Sequence, residues 1–212
     1  MENLGDRVER LLDGPRPLPL VLAGDPVLRT AAAPYDFSLP QPLWTELLSA
    51  MFETMHAAPG VGLAAQQIGL AIRVAVLKDP ANVPAEIAAE RLRYPVAARV
   101  LVNPRYAPVE PAPGQSADNV AAFYEGCLSV PGYQAVVPRA VAVRLTCQDE
   151  VERFVDETVT GWAARIVAHE TDHLDGVLYL DRAQTRSLST TGNLLELYAG
   201  LPMTDIRSTL GF

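Results

Sequence analysis

Two histidines stand four residues apart, with a glutamate beside the first, in the segment AHETDHLDG. Because four residues make just over one helical turn, His169 and His173 would project from the same face of a helix. Two imidazoles in this arrangement can bind one metal ion, and Glu170 would lie close enough to transfer protons. The chain has three histidines in all, and two of them form this pair, so the spacing favours a metal site over a chance match.

Two histidines do not complete a catalytic metal site, and the sequence offers several third ligands. Metallopeptidases with an HExxH helix usually take a downstream glutamate, histidine or aspartate. Asp175, Asp181 and Glu196 follow downstream, and Glu196 in NLLELYAG is the candidate glutamate on a second helix. The competing candidate is Cys127 in EGCLSVPG, because its thiolate would bind a divalent ion tightly. Gly126 before it would let the backbone approach the metal closely.

The elements that must position these residues can be predicted from periodicity. Apolar residues on a 3–4 spacing predict an amphipathic helix in PLWTELLSAMFETMHAAPG, ended by Pro59 and Gly60. Alternating segments predict strands in RVAVLKD, RVLVNPRYAPVE, YQAVVPRAVAVRLTCQDE and VERFVDETV. The metal-binding helix is predicted over residues 161–174, with Thr160 as its N-cap and Gly176 beyond its end. Strands followed by one strong helix favour an α+β fold over an alternating parallel sheet.

Composition and charge narrow the class of protein. A chain of 212 residues with 49% hydrophobic and 20% charged residues suits one globular domain with a substantial core. The net charge of −8 argues against a general nucleic-acid surface, so no specific DNA binding is expected. No apolar run approaches the ~18 residues of a membrane span, and the acidic N-terminus lacks an apolar signal core. Two cysteines fit a reducing cytoplasm, and no membrane partner is expected.

Three segments together resemble the signature motifs of the peptide deformylase family. They occur in the family's order and are GVGLAAQQIG at 60–69, EGCLSVPG at 125–132 and HETDHLDG at 169–176. The resemblance implies a catalytic domain over residues 18–183, between an N-terminal extension, 1–17, and a C-terminal tail, 184–212. It also implies that mixed or antiparallel sheets pack around the central metal-binding helix.

The resemblance makes Cys127, His169 and His173 the metal ligands, with water or hydroxide in the fourth position. It implies Fe²⁺ as the usual ion, with Zn²⁺, Ni²⁺ or Co²⁺ as substitutes. The spacing itself does not select iron, because a Cys–His–His site would also accept zinc.

The reaction implied by the resemblance is hydrolysis of the N-formyl group from the initiator methionine of a new polypeptide, which gives formate and a free amine. Glu170 would take a proton from the attacking water and later deliver it to the leaving amine. The side-chain amide of Gln67 and the backbone N–H of Leu128 would stabilise the oxyanion. Gln66, beside Gln67, is interpreted as a surface or structural residue from its place in the motif.

Substrate binding needs an apolar pocket for the methionine side chain and backbone for the peptide. The candidate pocket residues are Val61, Phe123, Trp162 and Ile166. Gly62 and Gly126 are the candidate glycines beside the peptide, because a missing side chain allows close backbone approach. The resemblance also predicts that Glu125 pairs with Arg139, an ion pair that would orient the loop carrying the metal ligand.

Some positions depart from the family's pattern. Ala168 stands where many members have glutamine, and Gln134 where several have an arginine that holds the peptide backbone. The second change bears on peptide affinity more than on chemistry. An insertion around residues 81–95 and the tail after Gln184 could alter ribosome contact or access to the site.

The sequence therefore predicts a cytoplasmic metalloenzyme that acts on N-formyl-methionyl nascent peptides and contacts the ribosome transiently. Two alternatives belong to other classes. One is an HExxH metallopeptidase that uses Glu196 as its third ligand. The other is a catalytically inactive metal-binding module that serves as a scaffold for a partner.

Overall fold

The computed structural model describes residues 3–110 and 119–212 of the chain. The helices are α1 (Leu4–Leu12), α2 (Gln41–Ala57), α3 (Ala85–Arg91), α4 (Gly161–Leu174), α5 (Thr191–Leu197) and α6 (Met203–Leu210). The strands are β1 (Gly62–Ala64), β2 (Val74–Asp79), β3 (Val96–Pro108), β4 (Val120–Cys127), β5 (Val130–Ala140), β6 (Ala142–Gln148), β7 (Phe154–Thr160) and β8 (Ser189–Thr190). The predicted bounds of helix α4 are confirmed; Thr160 occupies the N-cap position, but its side chain makes no capping hydrogen bond.

The strands form two antiparallel sheets, which confirms the predicted α+β class. One sheet has five strands in the order β1-β2-β3-β6-β7, and the other has three in the order β4-β5-β8. Each neighbouring pair within these sheets is antiparallel. Strand β1 is therefore an edge of the larger sheet and β4 an edge of the smaller one, so both offer unpaired backbone groups.

Helix α4 is enclosed by the sheets on most of its surface. It contacts β1, β2, β3, β6 and β7 of the larger sheet and β5 of the smaller one. Ala164, Ile166 and Val167 pack in one apolar cluster with Leu101 and Leu145 of the larger sheet. Burial of this apolar surface holds the helix rigidly, because interiors of such density leave side chains little freedom.

The N-terminal half of the core is built on α2. This helix buries Trp44, Leu47, Met51 and Met55 at the spacing that the sequence predicted. Helix α1, within the N-terminal extension, packs Val8 into the same cluster. No helix in residues 3–110 and 119–212 is long and apolar enough to cross a membrane.

The C-terminal tail is more ordered than its sequence indicates. No clear apolar periodicity marks the final residues, yet they form α6, which packs the buried Ile206 against Tyr124 and Val136 of the smaller sheet. Strand β8 extends the same sheet by pairing with β5, with Gln134 opposite Ser189. The physical reason is tertiary, because the apolar partners of α6 lie on strands about sixty or more residues earlier in the chain.

Ser187 is predicted to fix the tail to the sheet. Its hydroxyl oxygen accepts a hydrogen bond from the backbone N–H of Val136 at 2.7 Å, and the side chain is fully buried. Ser187→Ala should lower the free energy of unfolding by about 1–3 kcal/mol, because a buried donor loses its acceptor. Urea unfolding of both proteins would measure this loss. Ser208→Ala, at an exposed position of α6, is the control, and an equal loss there would contradict the prediction.

Candidate active site

Three side chains that could ligate a metal ion meet where the end of β4 faces α4. The Sγ atom of Cys127 lies 3.1 Å from Nε2 of His173, and one ligand atom from each of Cys127, His169 and His173 falls within 4.8 Å of the others. Such a set suits a divalent transition metal, and three protein ligands leave the open position of a catalytic site. Glu196, the alternative third ligand, lies exposed on α5 and is not part of this cluster.

One carboxylate selects the ring nitrogen that His169 offers to a metal. Nδ1 of His169 lies 3.0 Å from Oε2 of Glu125, so Nε2 is left for coordination. Burial works to raise the pKa of Glu125, but hydrogen bonds to His169 and Arg139 and the charge of Arg139 hold that pKa well below its usual range. Glu125 is therefore a fixed anion behind the histidine.

Arg139 joins the strand that carries the cysteine to the helix that carries the histidines. Its Nε and Nη2 donate to the two carboxylate oxygens of Glu125 at 2.6 and 2.9 Å, which places together the pair that the sequence predicted. Its Nη1 donates to Asp172 of α4 at 2.8 Å. All three side chains are almost completely buried, so these charges depend on one another for compensation.

Sequence reasoning missed the other members of this network. Arg165 donates to Oε1 of Glu125 at 2.6 Å, while Arg182 and Tyr106 donate to Asp172 at 2.7–2.9 Å. One signal was available, because Arg165 precedes His169 by four residues and therefore shares its helical face. A charged residue on the buried face of α4 indicates that an oppositely charged side chain lies buried beside it.

Glu170 lies between α4 and the edge strand β1. Its side chain is buried, and its Oε2 has no hydrogen-bond partner among the described residues. Burial raises the pKa of this carboxyl to about 7. A Cβ atom on Gly62 would lie 2.1 Å from Oε1 of Glu170, so glycine at this position lets the carboxylate lie against the backbone of β1. Gly62 was predicted from the sequence only as a peptide contact.

The amide of Gln67 is oriented toward the cysteine. Its Oε1 accepts a hydrogen bond from the backbone N–H of Ala64, which leaves Nε2 3.6 Å from Sγ of Cys127 and 3.2 Å from Oγ of Ser129. Gln66 points elsewhere and donates to two backbone carbonyls of a neighbouring loop. Gln66 is completely buried, so its interpretation as a surface residue is wrong and its structural role is supported.

A cavity of about 740 Å³ opens beside the cluster. Among its lining residues are the predicted Val61, Gly62, Gly126, Leu128, Trp162 and Ile166. Phe123, the remaining pocket candidate, does not line this cavity; its ring lies 6.2 Å from that of Trp162 and faces a smaller cavity. Arg91 and Arg93 also line the main cavity. Both lie within the insertion, and the sequence did not predict them as pocket residues.

A buried carboxylate beside three candidate metal ligands and an open cavity is the arrangement expected of a metal-dependent hydrolase. The chain matches the family described as polypeptide deformylase over residues 17–188. It is 54% identical to peptide deformylase 1 of Streptomyces coelicolor, over 99% of this chain and 93% of that protein. It is 59% identical to peptide deformylase 3 of Streptomyces avermitilis, over 88% of this chain and 80% of that protein.

Solved structures agree with the sequence matches. A class I type b peptide deformylase from Acinetobacter baumannii with Met-Ala-Ser bound superposes with a TM-score of 0.64 at 31% identity, covering 78% of this chain and 97% of that one. The chain therefore belongs to the polypeptide deformylase family. This confirms the resemblance drawn from the three motifs and the predicted enzyme class.

Gly62→Ala is predicted to displace the carboxylate of Glu170. The added Cβ would overlap the carboxylate of Glu170, whose departure should lower kcat/KM on the order of 10²-fold. Formate release from a formyl-Met peptide would measure this. Gly192→Ala is the matched control, because a Cβ there meets no atom within 4 Å. Full activity of Gly62→Ala would show that Glu170 need not lie against β1.

Arg139→Met should destabilise the fold strongly. The change leaves Glu125 and Asp172 buried with less compensation, which typically costs on the order of 3–5 kcal/mol. Denaturant unfolding would measure the difference. Arg144→Met is the control, because Arg144 makes its ion pair with Asp156 at the exposed surface and the free energy of unfolding should hardly change. Equal stability of the two variants would show that the network is dispensable.

Proposed function

We propose that this deformylase hydrolyses the N-formyl group of the initiator methionine through a divalent ion held by Cys127, His169 and His173. The observation that carries the proposal is the buried carboxylate of Glu170, with one oxygen unpartnered among the described residues, on the same helix as two of the ligands. When bound, the ion lowers the pKa of a water molecule toward neutrality and polarises the formyl carbonyl. Fe²⁺ is the proposed ion because the family resemblance implies it, and the ligand set also accepts Zn²⁺, Ni²⁺ or Co²⁺.

Glu170 moves the proton in this proposal. Its free oxygen accepts a proton from the water that attacks the formyl carbon, and the same carboxyl then donates that proton to the amine nitrogen. The bond between the formyl carbon and that nitrogen breaks, so formate and a free N-terminal amine are the products. Burial of Glu170 keeps bulk water from competing for the proton.

Gln67 and Leu128 stabilise the charge that develops on the formyl oxygen. The Nε2 atom of Gln67 already faces the sulfur of Cys127, and the amide is held there through its other end. Leu128 directly follows Cys127 in the chain, so its backbone N–H group lies next to the cysteine. A donor fixed in advance needs no rearrangement during the reaction, and loss of one such donor typically costs on the order of 10²–10³ in rate.

The peptide substrate lies between two sheet edges in this proposal. Strands β1 and β4 are both edges, and Gly62 and Gly126 on them line the cavity. An extended peptide can pair with such edges through its backbone, which gives affinity without regard to sequence. The methionine side chain then enters the apolar part of the cavity at Val61, Trp162 and Ile166. Gln134, where several relatives have arginine, also lines this cavity.

Nascent chains are the proposed substrates, and the cytoplasm, with transient ribosome contact, is the proposed location. The support is chemical, because a formylated initiator methionine exists at the start of newly made polypeptides. The acidic net charge of −8 agrees with a protein that does not bind RNA or DNA over a broad surface.

Paired variants test the assigned roles. Protein prepared without oxygen and loaded with Fe²⁺ or Ni²⁺ should release formate from formyl-Met-Ala-Ser, and chelation should abolish this activity. Glu170→Gln should keep the bound metal and lose on the order of 10²–10⁴-fold in kcat, because the ligands remain and the base is gone. Cys127→Ser should lose metal and activity together. Metal content per chain and formate release are the two measurements.

Cys147→Ser is the matched control for the cysteine, because Cys147 lies buried in the core cluster of the larger sheet and away from the ligands. It should keep both metal and turnover. If Cys127→Ser retained its metal while Glu196→Gln lost it, the ligand assignment would be wrong and the metallopeptidase arrangement correct. Activity of Glu170→Gln equal to that of the unmodified protein would rule out Glu170 as the base.

A further inference from the structure

A second, smaller cavity adjoins the main one and shares part of its lining. It measures about 70 Å³, and Phe123 and Ala121 are among the residues that line it. Three residues line both cavities: Arg91, Trp162 and Arg165. Their side chains are therefore the partition between the two spaces. The space behind the partition is large enough for several water-sized groups.

The partition is a stack of guanidinium groups and aromatic rings. The Cζ atom of Arg91 lies 5.1 Å from the ring centroid of Trp162 and 5.5 Å from that of Phe123. The Cζ atom of Arg165 lies 5.5 and 5.4 Å from the same two centroids. These distances are within the range of cation–π attraction, which strengthens when the groups are shielded from water.

The two arginines are held in different ways. Arg165 donates hydrogen bonds to Glu125 and to the carbonyls of Val137 and Ala121, so its place is fixed by the network described above. The Nε atom of Arg91 is buried without a hydrogen-bond partner among the described residues. Packing on the rings therefore places Arg91, and Arg91 is the member of the partition that can be changed without breaking the network.

The insertion that carries Arg91 is fixed to the start of α4. The backbone N–H of Trp162 donates to the carbonyl of Leu92 at 3.2 Å. Gly161 has a φ of +62°, and a Cβ there would lie 2.3 Å from the same carbonyl, so glycine allows this close approach. Arg93 anchors the other side through a bidentate ion pair with Asp79 at 2.7 and 2.9 Å. The insertion is thus a built part of the pocket wall.

We propose that Arg91 closes the methionine pocket on the side of the second cavity and so sets the length of the first side chain that the enzyme accepts. This inference rests on the proposed function, which puts that side chain beside Trp162 and Ile166. With Arg91 in place, a longer side chain meets the guanidinium and the ring stack. With the side chain of Arg91 removed, the two cavities join and the pocket becomes deeper by about 70 Å³.

The test compares substrates that differ only in length. They are formyl-Met-Ala-Ser and two analogues in which S-ethyl or S-propyl replaces the S-methyl group of methionine. The ratio of kcat/KM for the S-propyl analogue to that for the methionine peptide is measured in the metal-loaded enzyme. Arg91→Ala should raise this ratio on the order of 10-fold, since one methylene in an apolar pocket commonly changes kcat/KM by about 10–200-fold. Arg91→Val should raise the ratio less than Arg91→Ala, because valine is smaller than arginine but larger than alanine.

Arg91→Met is the matched control, because it keeps a long side chain and removes the charge. Its ratio should stay within about two-fold of the unmodified enzyme. An unchanged ratio in Arg91→Ala and Arg91→Val would overturn the proposal, and so would an equal rise in Arg91→Met, which would assign the effect to charge. Absence of turnover of formyl-Met-Ala-Ser by the unmodified enzyme would instead overturn the proposed function. Unfolding transitions of the variants that match the transition of the unmodified enzyme show that they fold.

Discussion

The geometry of the site depends on the hydrogen bonds that the guanidinium group of Arg139 donates. This group binds Glu125 of β4 on one side and Asp172 of α4 on the other, within the protein interior. Burying these charges is costly, and the cost is offset only if each remains hydrogen-bonded. Here Arg165 adds a further donor to Glu125, and Arg182 adds two to Asp172. The network therefore admits one relative position of strand and helix.

That position sets the geometry of the candidate metal site. Cys127 follows Glu125 by two residues on the same strand, and His169 and His173 flank Asp172 on the same helix. A contact between the two carboxylates and one arginine thus sets the separation of the sulfur and the imidazoles. The same Glu125 accepts from Nδ1 of His169, so one anion both joins the elements and selects the ligating nitrogen.

Segments outside the three motifs shape what reaches this centre. The insertion after β2 brings Arg91 and Arg93 to the cavity. The C-terminal tail adds β8, which pairs with the strand segment that contains Gln134, and it also supplies Thr191 to the cavity lining. Both segments are attached by backbone hydrogen bonds or buried side chains. Chemistry and access are therefore supplied by different parts of the chain, as expected where a rigid scaffold carries the reacting groups and variable segments surround them.

The sequence by itself determined the helix α4, the spacing of His169 and His173, the α+β class and the family. These follow from local periodicity and from short motifs, which depend on neighbouring residues alone. Only the tertiary structure decided the partners of Arg165 and Asp172, the placement of Phe123 outside the main cavity, and the order of the final residues in α6. Each of these depends on contacts between segments far apart in the chain, and local patterns carry no record of such contacts.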